Sequence, residues 1–160
     1  MGFLQPEYVV SGSALTVESA SLYDFGNITS RMHMAWMRVV GGRMKSDYQY
    51  SVTVVYNNFP WPENPTPKQR AAVEAAAQGV LDARAEFPNA TLADLYDPLS
   101  LPPSLVRAHA ALDKAVDLCY RSQPFENDSQ RVEHLFALYE RLTAPLLPAT
   151  PKPRRSRSKN

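Results

Sequence analysis

Four prolines, Pro60, Pro62, Pro65 and Pro67, fall within eight residues, and no regular element can run through them. Proline holds its own φ near −65°, lacks an amide donor and pushes the preceding residue toward extended backbone. The chain is therefore read as two pieces around a connector that starts at Phe59-Pro60-Trp61-Pro62.

Upstream the signals are mixed. Tyr8-Val9-Val10 and Ala14-Leu15-Thr16-Val17 are short β-prone runs separated by Ser11-Gly12-Ser13. Residues 27–40 place Ile28, Met32, Ala35, Trp36, Val39 and Val40 at helical spacing. Thr29 or Ser30 is positioned as an N-cap, and Gly41-Gly42 as a left-handed stop. Residues 48–56, rich in Tyr, Val and Thr, predict the strongest strand of the chain.

Downstream the pattern is helical. Thr66-Pro67-Lys68-Gln69 is a capping box with proline in the first turn, opening a helix through 71–86 with Val73, Ala77, Val80 and Leu81 inward. A short turn follows Thr91. A further helix after Leu101-Pro102-Pro103 carries Leu105, Leu112, Val116 and Cys119, and a last one is capped by Asp128. The expected fold class is α+β, mainly α: a small strand–helix–strand piece followed by an antiparallel helical unit. The expected divisions are 1–62, 63–145 and a disordered basic tail, 146–160.

Composition excludes several classes. With 44% hydrophobic and 21% charged residues over 160 positions, the chain is globular and about one domain long. A single cysteine rules out an internal disulfide and a cysteine zinc cluster, and suits a reducing, cytoplasmic setting. No apolar run is long enough to span a membrane, and no secretory signal is visible. Net charge is +1, but it is unevenly spread. Residues 1–62 are neutral, 63–150 hold 8 basic and 12 acidic residues, and 151–160 carry five bases and no acid. Between Asp24 and Asp47 stand Arg31, Arg38, Arg43 and Lys45 with no acid among them. Any contact with nucleic acid would run through that element or the tail.

A search for catalytic machinery finds little. There is no phosphate-binding glycine loop, and Asn64-Pro65-Thr66 lacks the second proline and the aromatic of amino-methylating sites. His33, His109 and His134 fall on three different helices, without the spacing of metal ligands. Cys119 lies on an apolar stripe, and Asp113 and Asp117 read as a solvated helix face. No catalytic residue, metal ligand or cofactor site is assigned within the chain.

The basic element is more informative. Arg43-Met44-Lys45-Ser46-Asp47-Tyr48 reads as a mobile polar loop presenting a long cation, a hydroxyl and a short acid. Lysine donates to the O6 and N7 acceptors of guanine, and aspartate accepts from the N4 amine of its cytosine partner. Lys45 and Asp47 together can thus read one G·C pair, whereas a purely basic patch would hold only phosphates. The plainer alternative is a solvated loop with an incidental ion pair.

Three stretches carry a resemblance: Phe25-Gly26-Asn27-Ile28-Thr29-Ser30-Arg31-Met32-His33-Met34-Ala35-Trp36-Met37-Arg38, Gly42-Arg43-Met44-Lys45-Ser46-Asp47-Tyr48-Gln49-Tyr50-Ser51, and Val55-Tyr56-Asn57-Asn58-Phe59-Pro60-Trp61-Pro62-Glu63-Asn64-Pro65-Thr66. They resemble the C-terminal end of single-chain type II restriction–modification enzymes of the MmeI type, and are similar to related large adenine-specific DNA methyltransferases. Leu92-Ala93-Asp94-Leu95-Tyr96-Asp97-Pro98 and Ala111-Leu112-Asp113-Lys114-Ala115-Val116-Asp117 extend the likeness into that family's C-terminal helical domain. The resemblance implies that 1–62 is the last portion of a DNA target recognition domain and 63–145 the helical domain. The nuclease, the S-adenosylmethionine pocket and the catalytic motif would lie in other parts of the parent enzyme. It implies that the residues flanking Ser46, here Lys45 and Asp47, specify a base, with guanine on the recognition strand. Arg31, His33, Arg38, Arg43, Ser46 and Tyr48 become candidates for backbone contact or positioning. The implied partners are double-stranded DNA and the upstream methyltransferase region or subunit. The competing expectation is a stand-alone interaction module that binds a separate methyltransferase subunit.

Overall fold

The computed structural model describes residues 1–4, 7–12, 14–45 and 47–144. Its first helix, α1 (Leu22–Thr29), opens with a reciprocal capping box, Ser21 accepting from the Asp24 amide while Asp24 accepts from the Ser21 amide. Ser30 then turns extended (φ −71°, ψ 160°). Its hydroxyl donates to the Asn27 carbonyl at 2.6 Å and accepts from the His33 amide at 3.4 Å. One serine therefore ends α1 and starts α2 (Arg31–Val40). The single helix expected over 27–40 is two, because a side chain satisfies the orphan backbone groups of both ends at once.

A two-stranded antiparallel hairpin follows, β1 (Gly42–Met44) and β2 (Asp47–Gln49), in register Gly42↔Gln49, Arg43↔Tyr48 and Met44↔Asp47. Gly41 is not the left-handed stop expected of it. Its φ is −69°, and no described glycine has positive φ. What requires glycine there is space: a Cβ would sit 2.5 Å from the Met37 carbonyl oxygen.

The strand expected over 48–56 ends early. Val52–Tyr56 forms one turn of π-helix instead. Its amides find local carbonyls, Val55 and Tyr56 donating to Ser51 and Asn57 to Val52. The Asn58 amide donates to the carbonyls of Thr53 and Val54, and the Trp36 indole to that of Val55 at 3.1 Å. Strand propensity is a preference for packing on a pleated surface, and the described residues offer this segment no neighbouring strand. The β-prone runs at 8–10 and 14–17 form no strand among the described residues either, and Val9 is almost fully exposed.

Helix α3 (Pro67–Ala85) has the expected Thr66/Gln69 capping box. Then come α4 (Leu92–Leu95), boxed by Thr91 and Asp94, α5 (Pro103–Tyr120) and α6 (Asp128–Thr143). The cap of α6 is Asn127 rather than Asp128, which stands in the first turn. Overall the fold is mainly α with a small strand piece, as expected. No helix among the described residues is long and apolar enough to cross a membrane. The basic tail and Ser46 lie outside the described residues.

One core joins the two halves. α3 packs along α5, α1 lies on α3, and α2 lies on α6. Met32 and Trp36 of α2, Val73, Ala77 and Val80 of α3, Leu105, Leu112 and Val116 of α5 and Leu135 of α6 fill it. The connector is strapped to the helices: Phe59 is buried, the Tyr120 hydroxyl donates to the Pro60 carbonyl at 3.0 Å, and Arg141 pairs with Glu63.

Candidate nucleic-acid interface

Helix α2 carries the hairpin, so whatever fixes α2 aims the hairpin. Its N-terminus is held from 82 residues away: the Arg31 amide donates to Asp113 of α5 at 2.7 Å. Burial pushes the Asp113 carboxyl up from its usual value, with this amide bond acting in the opposite direction. Trp36 anchors the middle of α2 through Val55, and its ring meets Phe136 and Tyr139 of α6. The C-terminal end passes through Gly41 directly into β1.

The hairpin is exposed along both strands. Arg43 and Tyr48 are cross-strand partners: the guanidinium lies 4.4 Å from the ring centroid and donates to the phenol at 3.0 Å. The segment expected as a mobile loop is thus a hairpin stiffened by this pair. Between the strands stand only Lys45 and Ser46. Lys45 has a φ of 57°, a region that two-residue hairpins demand and that side-chain-bearing residues rarely adopt. A two-residue turn made for stability alone favours Asn-Gly or Asp-Gly, and here a lysine bears the strain instead. The side chains of Lys45 and Asp47 are exposed and make no hydrogen bond or ion pair with any described residue. Their donors and acceptor remain available.

The other candidate residues go elsewhere. Arg31 and Arg38 turn to Asp128 of α6, at 2.6 and 3.1 Å. His33 is fully buried, its Nε2 3.0 Å from the Tyr50 hydroxyl and its ring edge-on to Phe59. Burial depresses its pKa to about 4. A side chain so placed positions the chain beyond β2 and does not reach a phosphate directly. The structure thus brings together Lys45, Asp47, Arg43 and Tyr48 on the hairpin, and groups Arg31 with Arg38 at a second place on α2.

That second place also holds Arg131, to which no sequence pattern points, and acids whose partners lie on other helices. Arg131 of α6 is buried and grips Asp117 of α5 with two bonds, Nε at 3.1 Å and a terminal nitrogen at 2.5 Å. It also approaches Asp128 at 3.4 Å. Asp117 is buried and Asp113 half-buried, so these acids are not the solvated face expected of them. Their spacing is what any exposed helix shows, and only their long-range partners distinguish them. The one local cue was their place next to the core positions Leu112 and Val116.

Two family models match. That of the MmeI target recognition domain covers residues 1–63, and that of the MmeI C-terminal domain covers residues 65–147. A protein described as DNA methyltransferase A, from Bacillus subtilis (strain 168), is 40% identical over 143 residues, 89% of this chain and 16% of that protein. The solved structure of the Type IIL restriction-modification enzyme MmeI in complex with DNA aligns with a TM-score of 0.75 and 46% identity, over 79% of this chain and 17% of that one. The chain spans about one-sixth of the length of either relative. With the exposed hairpin in the part matched to a recognition domain and the α3–α6 helices in the part matched to the C-terminal domain, the chain belongs to the MmeI family.

Proposed function

We propose that this chain is the DNA-reading end of an adenine-specific DNA methyltransferase or restriction–modification enzyme, and that it carries no catalysis of its own. Residues 1–62 form the end of the recognition domain and 63–145 the helical domain that braces it. Lys45 donates to guanine and Asp47 accepts from the paired cytosine in the major groove, while Arg43 and Tyr48 stiffen and position the hairpin that presents them. Ser46, between the two, is assigned to the same contact. His33 positions the hairpin's exit through Tyr50. The observation that carries this reading is the pair of unspent, oppositely charged side chains at the hairpin turn, Lys45 within it at positive φ and Asp47 at the start of β2. The DNA in the complex of the MmeI relative supports DNA as the partner, and the groove readout proposed for Lys45 and Asp47 calls for a duplex.

The methyl donor of such enzymes is S-adenosylmethionine. We assign its pocket, the methylated base and any nuclease to the portion of the enzyme beyond this chain, and no step of readout runs through it. That methyltransferase portion is the natural protein partner. A cytoplasmic site of action accompanies this role.

The test is a charge swap at the tip. In the longer enzyme carrying this chain, Lys45→Glu with Asp47→Arg should move base preference at one position of the recognition sequence and leave the others intact. The expected size is about 1–3 kcal/mol of discrimination, a five- to 150-fold change in relative binding. Binding of duplexes varied one pair at a time reads it, and an unchanged preference would sink the assignment.

A further inference from the structure

Arg31 and Arg38 stand seven positions apart on α2 and meet at one carboxylate. Arg31 Nε donates to one oxygen of Asp128 at 2.6 Å, and a terminal nitrogen of Arg38 donates to the other at 3.1 Å. Each guanidinium has five N–H donors in a fixed plane. Each spends only one on Asp128, and no other described group takes a side-chain donor from either. Both side chains remain about half exposed, at 54% and 46%, while Asp128 is 29% exposed. Both arginines are more exposed than the carboxylate they share, and both line an open cavity beside α2.

As a stabilising device this arrangement is poor. Exposed ion pairs contribute little, and holding two long, flexible side chains in one geometry costs conformational entropy. The third cation near Asp128, Arg131, is already satisfied by Asp117. What the arrangement does supply is two planar cations fixed side by side with spare donors, which matches the paired anionic oxygens of a phosphodiester. Fixing them beforehand removes an ordering cost at the moment of binding.

We propose that Asp128, a residue of the helical half, is a positioning residue that holds Arg31 and Arg38 as a two-arginine clamp on a backbone phosphate of the DNA. This rests on the reading of the chain as a DNA-recognition portion. It adds that the helical half takes part in DNA binding through Asp128, fixing register for the hairpin carried on the same helix.

The test uses the longer enzyme carrying this chain, a short duplex and binding measured across a salt series. Arg31→Gln and Arg38→Gln, both at half-exposed positions, are each expected to weaken binding several-fold at low salt. Together they should lower the slope of log affinity against log salt by about 1, as loss of one phosphate contact does. Asp128→Asn should keep the slope, since both cations remain, yet weaken binding several-fold because they are no longer held. Asp128→Glu, which restores the carboxylate, should recover part of the loss. A purely structural role for the three residues would leave the salt slope of the arginine variants unchanged, and that result overturns the clamp. So does Asp128→Asn binding as tightly as the parent while melting at the same temperature. If that enzyme, unsubstituted, shows no salt-dependent duplex binding, the recognition reading fails and the clamp with it. If the Lys45/Asp47 swap moves base preference while the arginine slope stays fixed, only the clamp fails.

Discussion

Single residues set the closest contacts of this fold. Gly26 of α1 faces α3 and α5, where a Cβ would lie 2.8 Å from Val73 Cγ1, 3.3 Å from Ala77 and 3.3 Å from Leu112. These three neighbours are fully buried, and a β-branched valine at the core of a helix has little freedom to yield. Gly26→Ala would gain about 1 kcal/mol of helix propensity. Overpacking a tight core costs about 1–3 kcal/mol. The net expectation is destabilisation by about 1 kcal/mol, seen as a lower urea midpoint at unchanged slope. His33 is the other decisive residue. Its folded pKa of about 4 lies below the ordinary 6.5 of the unfolded chain, so between these values the unfolded state binds more protons. Its contribution is complete above pH 6.5 and is lost as pH falls toward 4. Two pH units below 6.5 correspond to roughly 2–3 kcal/mol. Urea midpoints at pH 7 and pH 4.5 should show this loss in the parent, and His33→Gln should lack that share of it.

At the scale of elements, the π-helical turn Val52–Tyr56 is the piece most dependent on others. The Val55 carbonyl receives the Trp36 indole, and Val55 itself is fully buried. Trp36→Phe keeps an aromatic ring but removes that donor, so a loss of about 1–3 kcal/mol is expected from the unsatisfied carbonyl, with a further cost for lost volume. Thermal unfolding checks the loss, and an unchanged melting temperature would show that the indole bond is dispensable. This turn also marks where local reading ends. The helices of the second half were legible because Thr66-Pro67-Lys68-Gln69 and Thr91-Leu92-Ala93-Asp94 cap themselves from within. The polar character of Lys45 and Asp47 was legible too, since it is their own chemistry; their role as base readers is a proposal. The break at Ser30 was partly legible, as a possible cap but not as a helix end. Residues 52–56 have a strand's composition and no strand beside them among the described residues, so Trp36 and Asn58 decide their shape. Those partners are remote in sequence or invisible to periodicity.

Across the whole molecule, what ties the recognition piece to the helical piece is partly ionic. Asp113 holds the start of α2, Asp128 holds its arginines, and Asp117 with Arg131 locks α5 to α6 beneath them. The sequence showed these acids only as an i, i+4 pair and a cap, because each partner lies on another helix. The buried pair is the keystone: the side chains of Arg131 and Asp117 are 7% and 12% exposed. Desolvation lowers the affinity of Arg131 for its proton, yet bonding to Asp117 more than offsets this and holds its pKa above the usual value. Removing one partner leaves the other charge buried and unpaired, at a cost of about 3–5 kcal/mol, whereas replacing both with apolar groups of similar volume is often neutral or better. Asp117→Ala should therefore destabilise the whole chain severely. Arg131→Met with Asp117→Leu should recover most of that loss, although Asp128 then keeps only its two α2 arginines. Because α2 lies on α6 and α1 on α3, the loss should appear as one cooperative transition reported equally by the fluorescence of Trp36 and Trp61 and by helical circular dichroism. Two separated transitions would show that the halves unfold independently, and a double variant as unstable as Asp117→Ala would show that the unpaired buried charge is not the cause of the loss.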